Sequence, residues 1–180
     1  MGRHFLTQMF TPKMGSVGYF KGIYRGEAWL LFENLGDLNI DVQIGPQYFG
    51  EDREWWWDDT LDAARLEYYG DDFEIQLAIA ETLAPISTTN DGIDPAQKDL
   101  MRVLGSASWE WRDEQILEFY FLSQIDHSTR EGIGELIQED QEDDTDGDLY
   151  WLGLRSMGGL DVDNSGWIDY WFDAAFVHGK

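Results

Sequence analysis

The stretch Asp161-Val162-Asp163-Asn164-Ser165-Gly166-Trp167-Ile168-Asp169 sets oxygen-bearing side chains at alternate positions around a glycine. Hard divalent cations take several such oxygens at once, and the chain needs a small residue to turn tightly around them. Asp161, Asp163, Ser165 and Asp169 are the candidate metal ligands, with the Trp167 carbonyl as a fifth oxygen. The sequence predicts no cofactor beyond a weakly bound divalent cation at this stretch.

Over about a dozen residues the stretch resembles an EF-hand calcium loop, whose ligands fall at positions 1, 3, 5, 7 and 9 with Gly at 6 and an apolar residue at 8. It departs from that pattern at position 12, where Phe172 stands in place of the bidentate Glu. Asp173 comes one residue late, about 100° further round a helix. The same residues also read as an acidic turn, with Asp163, Asn164 or Ser165 capping a last helix. That helix is expected from Ile168, Trp171, Phe172, Ala175 and Phe176, which recur at helical spacing.

Other chemistry finds little support. There is no Cys, so thiolate nucleophiles, disulfides and cysteine-held zinc are excluded. His4, His127 and His178 lie far apart in the chain. No glycine-rich phosphate loop, Walker lysine or nucleophile elbow occurs. Paired carboxylates can hydrolyse glycosides, but 36 of them leave no pair distinguished. The run Trp55, Trp56 and Trp57 cannot face one way on any regular element, and an exposed Trp among acids suits a protein interface. The sequence predicts no enzyme.

Charge says more about partners. The 36 acidic residues face 12 basic ones, a formal net charge of −24. Such a surface repels nucleic acid and anionic membranes and attracts basic proteins. Folded acidic runs can imitate duplex DNA, which carries one charge per about 1.7 Å of axis. The candidate contacts are Asp58, Asp59, Asp62, Asp71 and Asp72, and the tract holding Glu139, Asp140, Glu142, Asp143, Asp144, Asp146 and Asp148. The expected function is therefore an acidic protein-binding inhibitor that occupies the basic groove of a nucleic-acid-handling enzyme. Anti-restriction, anti-CRISPR and toxin-immunity proteins resemble this chain in composition, though no motif is shared. Two alternatives treat the acidity differently, as adaptation to high salt or as part of a virion assembly protein. Residues 1–26 contain no acid but carry Arg3, Lys13, Lys21 and Arg25. A basic arm at about 1–16 is thus positioned to dock on an acidic body, its own or a neighbour's.

The elements expected to position these residues form a single α+β domain over 1–180. Hydrophobic residues at 43% and nine Trp argue for a packed core. Residues 17–44 predict an antiparallel meander, with Leu38, Ile40, Val42 and Ile44 on one buried face. Trp57, Leu61, Ala64 and Tyr68 predict a helix ended by Gly70, and Asp94-Pro95 to Gly105 predicts another. Residues 73–79 alternate as a strand, although 77–84 also suit a helix, and 116–122 fit either a buried strand or a buried helix. Ser128 to Glu131 is a capping box opening a further helix. No apolar run is long enough for a transmembrane helix and no secretory leader is evident, so the expected setting is cytoplasmic, away from membranes.

Overall fold

The computed structural model describes residues 23–50, 58–88, 92–128, 147–162 and 166–180. Eight strands account for most of them: β1 Leu30–Phe32, β2 Ile40–Gly50, β3 Asp58–Tyr69, β4 Phe73–Glu81, β5 Leu100–Arg112, β6 Gln115–Asp126, β7 Leu149–Val162 and β8 Gly166–Gly179. Each pairs antiparallel with the next, giving one sheet in sequence order. The remaining regular pieces are two three-residue 3-10 turns, Leu35–Asp37 and Pro95–Gln97.

The α+β expectation is overturned by this sheet, because every predicted helix in the described residues is a strand or a short turn. Asp58–Tyr69 is β3: its apolar residues fit a helical face, but alternation also places Ala64, Leu66 and Tyr68 on one side. There they stand between Ile44, Val42 and Ile40 of β2 and Ile79, Leu77 and Ile75 of β4. Cross-strand neighbours outweigh the modest helix preference of Ala, Leu and Glu. In the Asp94 segment the cap survives, with Asp94 accepting from the Ala96 N–H at 3.1 Å. The helix stops after one turn and β5 takes over. Ile168 to Phe176 lies in β8, where Ile168, Tyr170, Phe172, Ala174 and Phe176 share one side. Apart from Ser128, the capping box at 128–131 lies outside the described residues, as does the basic arm at 1–16.

The three connections of two or three residues share one end, the two longest share the other, and each end has one connection of seven residues. Residues 33–39, 70–72, 113–114 and 163–165 connect strands at one end; residues 51–57, 82–99 and 127–148 connect them at the other. Alternation around an antiparallel meander makes the segregation geometrically necessary, but the difference in length is a property of this sequence.

Near the long-loop end the segment leading into β1 is tied to the sheet rim. The Arg25 N–H donates to the Ile86 carbonyl at 2.7 Å, and the Arg25 guanidinium holds both oxygens of Asp62 at 3.0 and 2.8 Å. Ala28 N–H donates to the Pro46 carbonyl, and the Glu27 carboxylate accepts from the Tyr48 N–H at 2.8 Å.

Candidate functional site

Because side chains alternate across a strand, the register sorts the whole sheet into two faces. One, called inner here, carries the buried cluster of Phe49, Leu61, Ala63, Ala78, Leu104 and Leu122. Yet the inner face also carries the charges. One row across it reads Glu74, Ser108, Glu118, Arg155 and Asp173, and Arg65 and Arg102 stand in other inner rows.

The outer face is the reverse. Val42, Leu66, Leu77, Gly105, Phe121, Leu152 and Phe176 make one continuous row, and Ile40, Tyr68, Ile75, Ala107, Phe119, Leu154 and Ala174 make the next. From the row of Ile44 to the row of Phe73, no outer position is Asp, Glu, Lys or Arg. Leu77 is 45% exposed and Phe172 59%, while Arg102 on the inner face is 2% exposed and Gln47 is fully covered. The outer face is thus apolar where a water-soluble sandwich is polar, and the inner face is mixed.

Aromatic residues are graded along the outer face. Tyr48 and Tyr150 stand toward the long-loop end; Tyr68, Trp109 and Tyr170 stand toward the short-turn end. Phe73 stacks on Trp109 with ring centroids 5.7 Å apart and planes 6° from parallel. Between them the outer positions are mainly Ile, Leu, Val, Ala and Phe. Gly105 sits in that middle band because a Cβ there would approach the Gln76 carbonyl oxygen at 2.5 Å.

Each inner arginine is held by partners, as burial of a charge demands. Arg65 donates through Nε to Gln47 Oε1 at 2.6 Å, lies 3.5 Å from Glu67 and covers the Phe49 ring at 4.6 Å. Arg102 donates to Gln124 at 3.0 Å and to Gln97 at 2.8 Å. Burial lowers the pKa of both guanidiniums, opposed by the carboxylates of Glu67 beside Arg65 and Asp59 beside Arg102. Arg155 donates to Asp173 Oδ2 at 2.9 Å and stands 3.6 Å from Glu118. The Tyr120 hydroxyl reaches across β7 to donate to Asp173 Oδ1 at 2.7 Å. It passes over Gly153, where a Cβ would overlap the ring. Burial first, and then the Asp173 hydrogen bond, push the Tyr120 phenol up to about 12. These groups form a structural staple joining β6, β7 and β8.

The acidic residues singled out by sequence do not gather into one face. Asp58, Asp59 and Asp62 begin β3 at the long-loop end, with Asp62 bound to Arg25 and to the Leu83 N–H. Asp148 lies at the same end and accepts from the Asp126 N–H at 3.2 Å. Asp71 and Asp72 occupy the β3–β4 turn at the opposite end. Glu139, Asp140, Glu142, Asp143, Asp144 and Asp146 lie outside the described residues, as do Asp163 and Ser165. Asp161 and Asp169 flank the β7–β8 hairpin, opposite Trp167 and Gly159 respectively, and Asp169 accepts from the Trp167 indole N–H. Strand pairing on both sides replaces the loop-to-helix geometry of an EF-hand. Among the described residues no group of three or more potential ligands converges on one point.

The alternation at 38–44 and 73–79 is legible in the sequence, but the apolar side at 38–44, expected to be buried, faces outward. The outer residues of β5 to β8 were missed. The signal available was the lack of charge at every second position of residues 101–109, 117–125 and 150–160.

No protein-family model matches the chain, and no curated protein is similar to it. Among the described residues no helix is long and apolar enough to cross a membrane, which leaves crossing by strands untouched.

Proposed function

We propose that this chain works as membrane-spanning β-sheet, the wall of a β-barrel whose outer face meets lipid. The observation that carries the reading is the uncharged, exposed apolar band across β2 to β8 above a face that buries its arginines. A soluble monomer rarely exposes a contiguous apolar patch beyond a few hundred Å². Outer-membrane-type walls alternate apolar-out and polar-in and join strands by short turns at one end and longer loops at the other. Tyr toward one end of the band, and Tyr with Trp109 toward the other, suit the two membrane–water interfaces, where amphipathic rings settle. β4, β5, β6, β7 and β8 have 9, 13, 12, 14 and 14 residues, enough for the roughly 9–11 that a tilted crossing strand requires. This proposal departs from the expectation of no membrane contact.

The test is refolding from urea with and without phospholipid vesicles, followed by far-ultraviolet circular dichroism and protease treatment. The reading expects strand signal and protease-resistant β hairpins only when vesicles are present. Full folding in dilute buffer as a monodisperse species would sink it.

The acidic-inhibitor proposal is favoured by one observation, the collection of Asp59, Asp62, Asp126 and Asp148 at the long-loop end. On that reading the rim meets a basic, nucleic-acid-binding protein, and the complex weakens with salt. Salt adaptation predicts the opposite, a fold that fails in dilute buffer and recovers in molar salt.

A further inference from the structure

Four inner positions at the short-turn end of β7 and β8 form a rectangle, with Asp161 opposite Trp167 and Gly159 opposite Asp169. The Trp167 indole lies along one diagonal. Its ring covers Gly159, where a Cβ would overlap it, and its N–H donates to Asp169. The two aspartates take the other diagonal, roughly 7–8 Å apart. We infer that this corner binds a small organic cation, a soluble quaternary ammonium compound such as choline, whose methylated nitrogen rests on the Trp167 ring between Asp161 and Asp169.

Trp gives the strongest attraction to a cation held over a ring face. Trp167 is 52% exposed although it stands on the inner side, away from the apolar outer band, so contact with lipid does not account for it. Gly159 and Asp169 hold the ring in place while half of the residue stays open to water. Asp161 and Asp169 are exposed, and neither joins an ion pair among the described residues. Arg155, the one arginine of β7, is already bound to Asp173 and Glu118. The corner is therefore negative, which favours a cation over an anion or a neutral sugar. A divalent metal ion fits poorly, because it takes about six to eight oxygens and one of the two carboxylates already accepts from the indole. A quaternary ammonium has no N–H to satisfy and draws on the ring face and the nearby charge alone. A free solute is the source, since the phosphate of a choline lipid would meet both carboxylates. The inference goes beyond the bilayer reading and does not depend on it, because the corner is open to water on the inner side in either setting.

The test is saturation-transfer NMR of choline titrated onto the whole protein, folded in phosphatidylglycerol vesicles, whose headgroups carry no ammonium. Saturable transfer from the protein to the choline methyl protons is expected. Each carboxylate at about 5 Å in water is worth about fourfold in affinity, so the uncharged isostere with carbon in place of nitrogen should bind about tenfold more weakly. The Asp161→Asn, Asp169→Asn double variant should weaken choline by a similar factor. Trp167→Leu should weaken it about two- to fivefold, the range of an exposed cation–π contact. Circular dichroism checks that each variant keeps the sheet. No transfer to choline, equal affinity for the isostere, or affinity unchanged in both variants would overturn the inference. So would displacement of choline by an equal concentration of glucose or calcium chloride. Full folding in buffer without vesicles refutes the bilayer reading alone, and the same titration in buffer then decides the cation site.

Discussion

Leu77→Arg separates a lipid-facing sheet from a water-facing one by the sign and size of a single effect. Leu77 lies between Leu66 and Gly105 on the outer face, with Ile75 and Ile79 before and after it along β4. The first charged outer residue of that strand, Glu81, is four positions away, about 13 Å along the strand at roughly 3.3 Å per residue. An arginine at Leu77 therefore snorkels only partway to the rim. A cation near the middle of a barrel's lipid face costs about 2–4 kcal/mol, against about 0–1 kcal/mol near the interface. At about 1.4 kcal/mol per factor of ten, the mid-band change lowers the folding constant about thirtyfold to seven-hundredfold. Thr60→Arg, at the long-loop rim, is the matched control. In water the same Leu77 change would stay within about 0.5 kcal/mol, as most exposed substitutions do. Urea titrations of folding into vesicles, followed by tryptophan fluorescence, give both values. Equal midpoints for the wild type, Leu77→Arg and Thr60→Arg would refute the lipid-facing assignment.

Three further outcomes are expected. Gly153→Ala forces the Tyr120 ring away from its site and weakens its bond to Asp173, costing about 1–3 kcal/mol as overpacking does; a lowered urea midpoint checks it. Asp173→Asn removes the carboxylate held by Arg155 and Tyr120 while Glu118 stays near the guanidinium, and a loss of about 1.5–3 kcal/mol is expected for a hydrogen bond to a charged group. Tyr120 is protonated more tightly when folded, with its pKa raised to about 12 from the usual 10, so its contribution is complete below pH 10 and is lost as pH rises from 10 to 12. Ultraviolet titration of the folded protein should show one fewer late-ionising phenol in Tyr120→Phe, and an unchanged count would contradict the buried hydrogen bond.

Part of this fold was legible in the sequence. Ile40 to Ile44 and Phe73 to Ile79 alternate and both are strands, although 77–84 also suit a helix. The misreadings share one physical origin. In a strand with an apolar outer face and a mixed inner face, inner residues such as Leu61, Leu104 and Ala175 join the outer set to produce i, i+3 and i+4 coincidences. Residues 168–176 satisfy both periods, and only the partner strand β7 decides between them. Gly105 looked like a helix stop because its role, admitting the Gln76 carbonyl and the Phe121 ring, depends on strands far away in sequence. The apolar side of 38–44 is expected in a core because composition points to a water-soluble protein; a net charge of −24 hides an outer band that holds no Asp, Glu, Lys or Arg. Which side of the sheet the charges take is set by register, which a one-residue slip would invert.

The most direct measurement uses the absence of native cysteine. Single cysteines at positions 73 to 79 of β4, each carrying a small fluorophore, are folded into vesicles containing lipids with a quencher midway along the acyl chain. The account predicts alternation, with Phe73, Ile75, Leu77 and Ile79 positions quenched by the lipid and Glu74 and Gln76 positions spared. Uniform quenching, or quenching of every position by an aqueous agent alone, would contradict a sheet whose outer face lies in the bilayer.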